Sequence, residues 1–204
     1  MSKKLFILIA GPPATGKTRL ARFLSGRLGI PMLSKDAVKE LLFDDVGFNS
    51  REEKNALGKA AADILCYFAD AALSAGQPVM LESNFETAAK PGLIELINKH
   101  DCPVLTVMLT TELNTLYRRF IERDRSIERH RGHVVNTVYP EKPGEKRSIE
   151  EQGIGLEGML KAFTDRGMLD FDVGGERIVV DTTDFAKVNY EDIAGEIIKR
   201  IGID

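Results

Sequence analysis

The strongest constraint on the fold is a short apolar run that passes directly into a glycine-rich loop. Leu5–Ala10 is continuously apolar, which is typical of a parallel strand buried on both faces. From Gly16 to Leu28 the apolar residues then recur at helical spacing, which predicts an amphipathic helix. The loop between them matches the pattern G-x-x-x-x-G-K-[ST]; its residues are Gly11, Pro12, Pro13, Ala14, Thr15, Gly16, Lys17 and Thr18.

This loop has the features needed to bind a chain of phosphates. Its glycines let successive backbone N–H groups converge on one anion, and the helix that follows adds its positive N-terminal end. Lys17 is expected to reach the β- and γ-phosphates of a nucleotide, and the Thr18 hydroxyl to bind the Mg²⁺ that bridges them. A chance match is expected in roughly one chain of this length in a hundred. The whole loop is therefore expected to bind a nucleotide.

The rest of the chain alternates apolar strands with amphipathic helices. Further strands are predicted at 30–33, 78–81, 104–109 and 178–181. Further helices are predicted at 36–43, 52–73, 90–99, from 112 onward, and at 190–201. Strands separated by helices imply a parallel sheet with right-handed crossovers. We therefore expect a single α/β domain over residues 1–204, a three-layer P-loop NTPase whose five-stranded parallel sheet is flanked by helices.

Composition narrows the function classes. The 204 residues include 28 Lys and Arg against 31 Asp and Glu, a formal net charge of −3. A protein that mainly grips a nucleic-acid backbone usually has a basic surplus, so nucleic acid is an unexpected partner. Nothing approaches the roughly 18 consecutive apolar residues of a membrane span, and a cytoplasmic protein is expected. Cys66 and Cys102 are expected to be buried free thiols.

Two carboxylates are predicted where neighbouring strands end. Asp36 comes just after the second predicted strand, and Glu82 ends the third. The carboxyl ends of parallel strands meet at one edge of the sheet, so both should face the same cleft as Lys17. Phosphoryl transfer to a hydroxyl needs a carboxylate to accept its proton and a Mg²⁺ held in place. As alternatives, Asp36 could simply cap the short helix, and Glu82 could have only a structural role.

Six arginines fall within fourteen residues, from 118 to 131. Such a cluster is either a solvated helix with ion pairs or a set of cations that closes over a nucleotide. We expect ion pairing for Arg118 and Arg125. For three others we expect neutralisation of the transferring phosphoryl group; these are Arg123, Arg129 and Arg131.

Residues from about 120 to 150 are expected to form a small, mobile, arginine-rich lid. The stretch 130–148 is rich in Gly, Pro, Arg and Lys, which is typical of irregular surface segments. His130 and His133 lack the nearby cysteine or carboxylate pattern of a zinc site and are expected to shape the lid or contact phosphate. His100, near a predicted helix end, is expected at the surface.

Four motifs together resemble a known group of proteins. In chain order they are Gly11–Thr18, Ser34–Asp36, Leu81–Phe85 and Arg129–His133. Their order is similar to that in P-loop kinases related to chloramphenicol phosphotransferase and the zeta-toxin kinases. This group includes small-molecule kinases with a nucleoside-monophosphate-kinase-like fold and AAA-domain ATP-binding proteins.

The resemblance implies roles for single residues. Asp36 would be the base, Glu82 would hold the metal through water, and Arg119 would pack on the adenine. Thr182 would border the adenine ring, although a plain strand exit explains it equally well. Acceptor contacts are expected near Asn84, Phe85 and the stretch 42–48.

The implied activity is ATP- and Mg²⁺-dependent transfer of the γ-phosphoryl group to a hydroxyl of a small-molecule acceptor. Three alternatives stay open: a kinase of nucleic-acid ends, a toxin-like kinase of nucleotide sugars, and a non-enzymatic nucleotide switch. No apolar run ends in Asp-Glu, the pair expected of a mechanical AAA+ ATPase, so remodelling activity is disfavoured.

Overall fold

The computed structural model describes residues 4–141 and 155–201. Within them, five strands form one parallel sheet in the order β2-β3-β1-β4-β5. The strands are β1 Phe6–Ala10, β2 Met32–Ser34, β3 Val79–Glu82, β4 Val104–Thr110 and β5 Glu176–Asp181. The predicted five-stranded parallel sheet is therefore confirmed. Residues 142–154, which include part of the predicted lid, lie outside the described residues.

Helices cover both faces of the sheet. In the described part of the chain they are α1 Lys17–Leu28, α2 Lys35–Asp45, α3 Arg51–Ser74, α4 Lys90–His100, α5 Leu113–Arg125, α6 Arg131–Val134, α7 Leu156–Asp165 and α8 Tyr190–Ile201. Short 3-10 turns occur at Thr87–Ala89 and Phe185–Lys187. None of the helices in this part combines the length and the apolar character needed to cross a membrane.

The two faces of β1 explain why its sequence is apolar throughout. Phe6 and Leu8 pack into the cluster that includes the buried face of α3. Ile7 and Ile9 point the other way, into the cluster formed with α1 and α8. Because side chains alternate along a strand, a strand covered on both faces has no solvated position.

A smaller third cluster fixes α5 at the edge of the molecule. Leu116 of α5 packs with Met159 and Phe163 of α7 and with Met168, all of them buried. We did not predict α7, although Leu156, Met159, Leu160 and Phe163 have helical spacing. Packing against α7 holds the arginine-bearing helix α5 in place.

The strand register brings the candidate site residues to one edge. Glu82 pairs with Ile9 of β1 on one side and with Ser34 of β2 on the other. The glycine-rich loop leaves β1 one residue beyond this level, after Ala10. The parallel register therefore carries Glu82, Ser34 and the loop to the same end of the sheet.

Two expectations for single side chains need correction. His100 is buried, not at the surface, and its Nε2 lies 2.6 Å from Oδ1 of Asp70 on α3. Its position at the end of α4 directs the ring against α3 instead of into solvent. Cys66 and Cys102 are both free thiols, but only Cys102 is buried, while Cys66 is partly exposed.

Candidate active site

The glycine-rich loop has the backbone geometry that its sequence requires. Gly11 and Gly16 have φ values of 132° and 88°, a region that glycine adopts without strain. A Cβ atom on Gly11 would also lie 2.4 Å from the carbonyl oxygen of Leu109, so no larger residue fits there. Because α1 begins at Lys17 directly after Gly16 and has no acidic residue in its first turn, its positive end is available to an anion.

Lys17 is a buried cation at the base of the loop. It is 5% exposed, and its Nζ donates a hydrogen bond to the carbonyl oxygen of Pro12 at 2.8 Å. Burial lowers the pKa of Lys17 to about 8, although Glu82 and Asp36 raise it in part. Thr15 donates to the same carbonyl at 2.9 Å, which fixes the shape of the loop.

Thr18 and Glu82, which we predicted as metal ligands, are in contact. The Thr18 hydroxyl donates to Oε2 of Glu82 at 3.2 Å, and the Ser34 hydroxyl donates to the same oxygen at 2.6 Å. Glu82 is only 4% exposed. Carboxylate and hydroxyl oxygens are ligands that suit Mg²⁺, so the residues present fit the metal that the loop motif implies.

Asp36 lies in the first turn of α2, but it does not cap this helix. The N-cap residue is Ser34, and its side chain makes no capping hydrogen bond. Oδ2 of Asp36 lies 3.8 Å from a terminal nitrogen of Arg129, and the side chain is 40% exposed. Burial opposes its charge, but the positive charges of Lys39, Arg129 and Lys17 around it lower the pKa of Asp36 below its ordinary value. Asp36 is therefore an ionised carboxylate at neutral pH.

The predicted catalytic arginines fall into two groups. Arg123 and Arg129 line the same cavity as Lys17, whereas Arg131 lies outside its lining and donates two hydrogen bonds to Glu141. The Arg129 side chain is 15% exposed, and its buried Nε has no hydrogen-bond partner among the described residues. Buried polar groups are nearly always paired, so this nitrogen is suited to an oxygen of a ligand.

Arg119 also lines this cavity, and it contacts Thr182. Arg119 donates hydrogen bonds to the carbonyl oxygens of Thr182 and Thr183, at 2.7 and 2.9 Å. Its guanidinium carbon lies 3.7 Å from the ring centre of Phe185. The Thr182 side chain is 2% exposed and donates to the carbonyl of Thr110. Thr182 therefore positions Arg119 through its main chain, and it is not among the residues that line the cavity.

These groups enclose a first cavity of about 600 Å³, a size typical of small-molecule sites. A second cavity of about 530 Å³ lies beside it. Asp36 and Asn84 line both. Phe85 lines only the second cavity, and its ring stacks on Phe171. The two cavities thus meet at the ionised carboxylate of Asp36.

The segment after α5 packs closely on α2. A Cβ atom on Gly132 would lie 2.3 Å from the ring of Phe43, so only glycine allows this contact. His133 lies 2.9 Å from Glu40, and burial lowers its pKa to about 3, which makes it neutral at neutral pH. Lys54 of α3 donates to the carbonyl oxygens of His133 and Val135. The stretch 42–48 therefore supports this segment through Phe43 instead of lining either cavity, and the segment's mobility stays a prediction.

Sequence reasoning missed several residues of the two cavities. Those that line the first cavity include Arg19, Arg22, Glu40, Glu122, Ser126 and Phe185. Arg19 and Arg22 are three residues apart directly after the loop, so their shared face on α1 was available as a signal. Phe185 gave no such signal, because its position depends on the turn after β5.

Solved structures share this fold at low sequence identity. A proposed kinase from Chloroflexus aurantiacus has a TM-score of 0.74 and 23% identity, over 99% of this chain and 98% of its own. A shikimate kinase from Bacteroides thetaiotaomicron has a TM-score of 0.54 and 14% identity, over 98% and 99%. A tunicamycin resistance protein from Deinococcus radiodurans has a TM-score of 0.53 and 19% identity, over 99% and 98%.

The family assignment comes from the sequence itself. No curated protein matches the chain. The family model described as "AAA domain" matches residues 6–138, from β1 through the segment that follows α6. This span holds the loop, Asp36, Glu82 and the arginines of α5. By this match over most of its length, the chain belongs to the AAA-domain family, as its motifs predicted.

Proposed function

We propose that the chain is an ATP- and Mg²⁺-dependent phosphotransferase that moves the γ-phosphoryl group to a hydroxyl of a small molecule. One observation carries this proposal: Asp36, an ionised carboxylate, lines both cavities. A kinase needs its base between the phosphoryl donor and the acceptor. The shikimate kinase with the same fold is named for a small acceptor, which supports this acceptor class.

In this proposal the first cavity binds the nucleotide. The backbone N–H groups of residues 14–18 and the ammonium group of Lys17 hold the β- and γ-phosphates, and Arg119 lies beside the base. Thr18 and Glu82 hold Mg²⁺, directly or through water. When bound, Mg²⁺ supplies positive charge to the transferring phosphoryl group.

The acceptor binds in the second cavity with its hydroxyl at Asp36. The carboxylate of Asp36 accepts the hydroxyl proton as the oxygen forms its bond to the γ-phosphorus. The bond between the γ-phosphorus and the β–γ bridging oxygen breaks, and ADP leaves with that oxygen. Arg123 and Arg129 offset the charge on the γ-phosphoryl group. The Nε of Arg129 supports this role, because it has no hydrogen-bond partner among the described residues and its nearby carboxylate, that of Asp124, lies 3.8 Å away. Arg131 pairs with Glu141 outside the lining of the first cavity and is not part of this step.

A screen for acceptor-stimulated ADP release tests the proposal. Its panel holds hydroxylated metabolites, antibiotics and nucleosides, together with a nucleotide sugar and a 5′-hydroxyl oligonucleotide. We expect a small hydroxylated molecule to stimulate ADP release and to gain one phosphate by mass spectrometry. The same acceptor should give no stimulation with Asp36→Asn.

The screen also separates the alternatives. Stimulation by the nucleotide sugar alone would support a toxin-like kinase, and stimulation by the oligonucleotide alone would support a nucleic-acid-end kinase. Tight ATP binding without transfer to any acceptor would support a nucleotide switch and contradict the proposal.

A further inference from the structure

The second cavity has an excess of positive charge. Its wall holds five basic side chains, namely Lys35, Lys39, Lys54, Lys59 and Arg166, and three acidic ones, Asp36, Asp63 and Glu86. Lys59 is paired with Asp63 at 2.6 Å, and Arg166 is paired with Glu86. Asp36 faces Arg129 across the boundary with the first cavity. Each acidic side chain of the wall thus already has a basic partner.

Lys35 and Lys39 are the basic side chains of this wall that have no close carboxylate partner in the described part of the chain, although the charge of Asp36 acts on Lys39. Neither ammonium group forms a hydrogen bond or a close ion pair with another residue in the described part of the chain, whereas Lys54 is used by the carbonyl oxygens of His133 and Val135. The ammonium group of Lys39 lies over the ring of Phe43, with 5.5 Å between Nζ and the ring centre. Both lysines line the second cavity and not the first, so they are not placed to hold the nucleotide's phosphates.

The positive charge of Lys39 is destabilised by its surroundings. Burial lowers the pKa of its ammonium group, and Asp36 offsets this only in part. A buried charge is stable when it is paired. An anion in the second cavity would supply that partner.

We infer that the acceptor carries an anionic group, a carboxylate or a phosphate ester, which Lys39 and Lys35 bind while its hydroxyl lies at Asp36. This inference rests on the function proposed above. Asp36 and Lys39 are three residues apart on α2, which places them on one face with Cβ atoms about 5–6 Å apart. One small molecule can therefore place its reacting hydroxyl at Asp36 and its anionic group at the two lysines.

The rest of the cavity wall suits such a molecule. Ser83 and Asn84 offer a hydroxyl and an amide beside Asp36, while Leu81, Phe85 and Leu93 form an apolar surface. A hydroxy acid or a sugar phosphate has this combination of polar groups on a short carbon skeleton. A large neutral molecule would leave both lysines unpaired.

The experiment uses simple anions, so it does not depend on knowing the acceptor. Backbone amide NMR spectra are recorded at pH 7 on the chain saturated with Mg²⁺ and a non-hydrolysable ATP analogue. Phosphate, acetate and glycerol are then added at constant ionic strength. Gly58 and Gly92, which line the cavity, report binding, and Gly26 of α1 reports non-specific effects.

We expect phosphate, acetate or both to shift Gly58 and Gly92 saturably, with a midpoint in the range of about 1–10 mM, and glycerol to give no saturable shift. A lower midpoint for phosphate identifies a phosphate ester as the natural group, and a lower midpoint for acetate identifies a carboxylate. Lys39→Met and Lys35→Met should each raise the midpoint at least fivefold. Lys59→Met, which removes an already paired charge from the same wall, should change it less than twofold.

Absence of a saturable shift with either anion, or an equal response to glycerol, overturns the inference. So does an equal effect of the Lys39 and Lys59 variants. Because the ATP analogue is monitored separately through Gly16 in the loop, such a result leaves the proposed phosphotransferase standing, with a neutral acceptor. Failure of the analogue to shift Gly16 contradicts the proposed function instead.

Discussion

The Thr18 hydroxyl lies 3.2 Å from Oε2 of Glu82, although 64 residues separate the two in the chain. Thr18 lies in the first turn of α1, and Glu82 ends β3, the strand next to β1. The same Glu82 oxygen accepts a hydrogen bond from Ser34. Three elements of the fold thus place oxygen ligands beside the loop that is proposed to bind the nucleotide phosphates.

Glu82→Gln is expected to weaken the binding of Mg²⁺ that supports nucleotide binding. Glutamine has the same shape but no negative charge, so the Mg²⁺ concentration for half-maximal binding of a fluorescent ATP analogue should rise about 10–100-fold. Binding without metal should change by less than about threefold, since only the charge is lost. Glu196→Gln on the exposed face of α8 is the control. An identical Mg²⁺ titration for wild type and Glu82→Gln would show that Glu82 has no metal role.

Asp36→Asn is expected to separate binding from transfer. The variant should bind ATP with an affinity within about threefold of wild type and lose transfer by about 10²–10⁴-fold, because asparagine cannot accept the proton. Single-turnover measurement with the acceptor from the screen gives both quantities. Asp45→Asn, an exposed residue at the end of the same helix, should leave both unchanged. If Asp36→Asn transfers phosphate at the wild-type rate, Asp36 is not the base and has only a structural role in α2.

Phe185→Ala is expected to strengthen nucleotide binding. Arg119 and the Phe185 ring are in contact at 3.7 Å, so a base that packs on this face of Arg119 must first displace the ring. A cation–π contact at a partly exposed site contributes about 0.5–1 kcal/mol, which corresponds to an affinity gain of roughly two- to fivefold. Arg119→Ala should weaken binding in the same fluorescence titration. A loss of affinity in Phe185→Ala would mean that the ring itself contacts the base.

Nucleotide affinity is expected to fall as the pH rises above about 8. Burial lowers the pKa of Lys17 to about 8, so below this pH the free chain already carries the charge that phosphate requires. Above it, binding must be accompanied by proton uptake, and affinity should fall by up to about tenfold per pH unit. Lys17→Arg, which keeps its proton, should remove this slope in titrations from pH 7 to 9.5. The same slope in both proteins would assign it to another group.

The sheet and the loop were predictable because their signals are local. The apolar run of β1 predicts a buried strand, and the glycine pattern after it predicts a phosphate-binding loop. The parallel register then brings Glu82 and Ser34 to this loop. Asp36 was predicted beside them for the same reason. Its helix-cap alternative could be examined only in three dimensions, where Ser34 occupies the N-cap position.

Side chains whose partners lie far away in sequence were harder to place. His100 looked like a surface residue, but α4 directs it against Asp70 of α3. Arg131 has the same charge as Arg129, yet its pairing with Glu141 directs it away from the cavity. Lys35 and Lys39 give the second cavity its excess charge because the other charged side chains of its wall are already paired. Sequence periodicity does not show which side chains pair.

The most direct test of the account is calorimetric titration of the chain with Mg²⁺ and a non-hydrolysable ATP analogue at pH 7.5. We expect one site of micromolar affinity in wild type and a loss of at least about 100-fold in Lys17→Ala, because a buried ammonium that pairs with phosphate is removed. Lys161→Ala, which removes an exposed lysine paired with Asp165 on α7, should bind like wild type. No binding by wild type, or affinity within threefold for Lys17→Ala, would contradict the assignment of the glycine-rich loop as a nucleotide site.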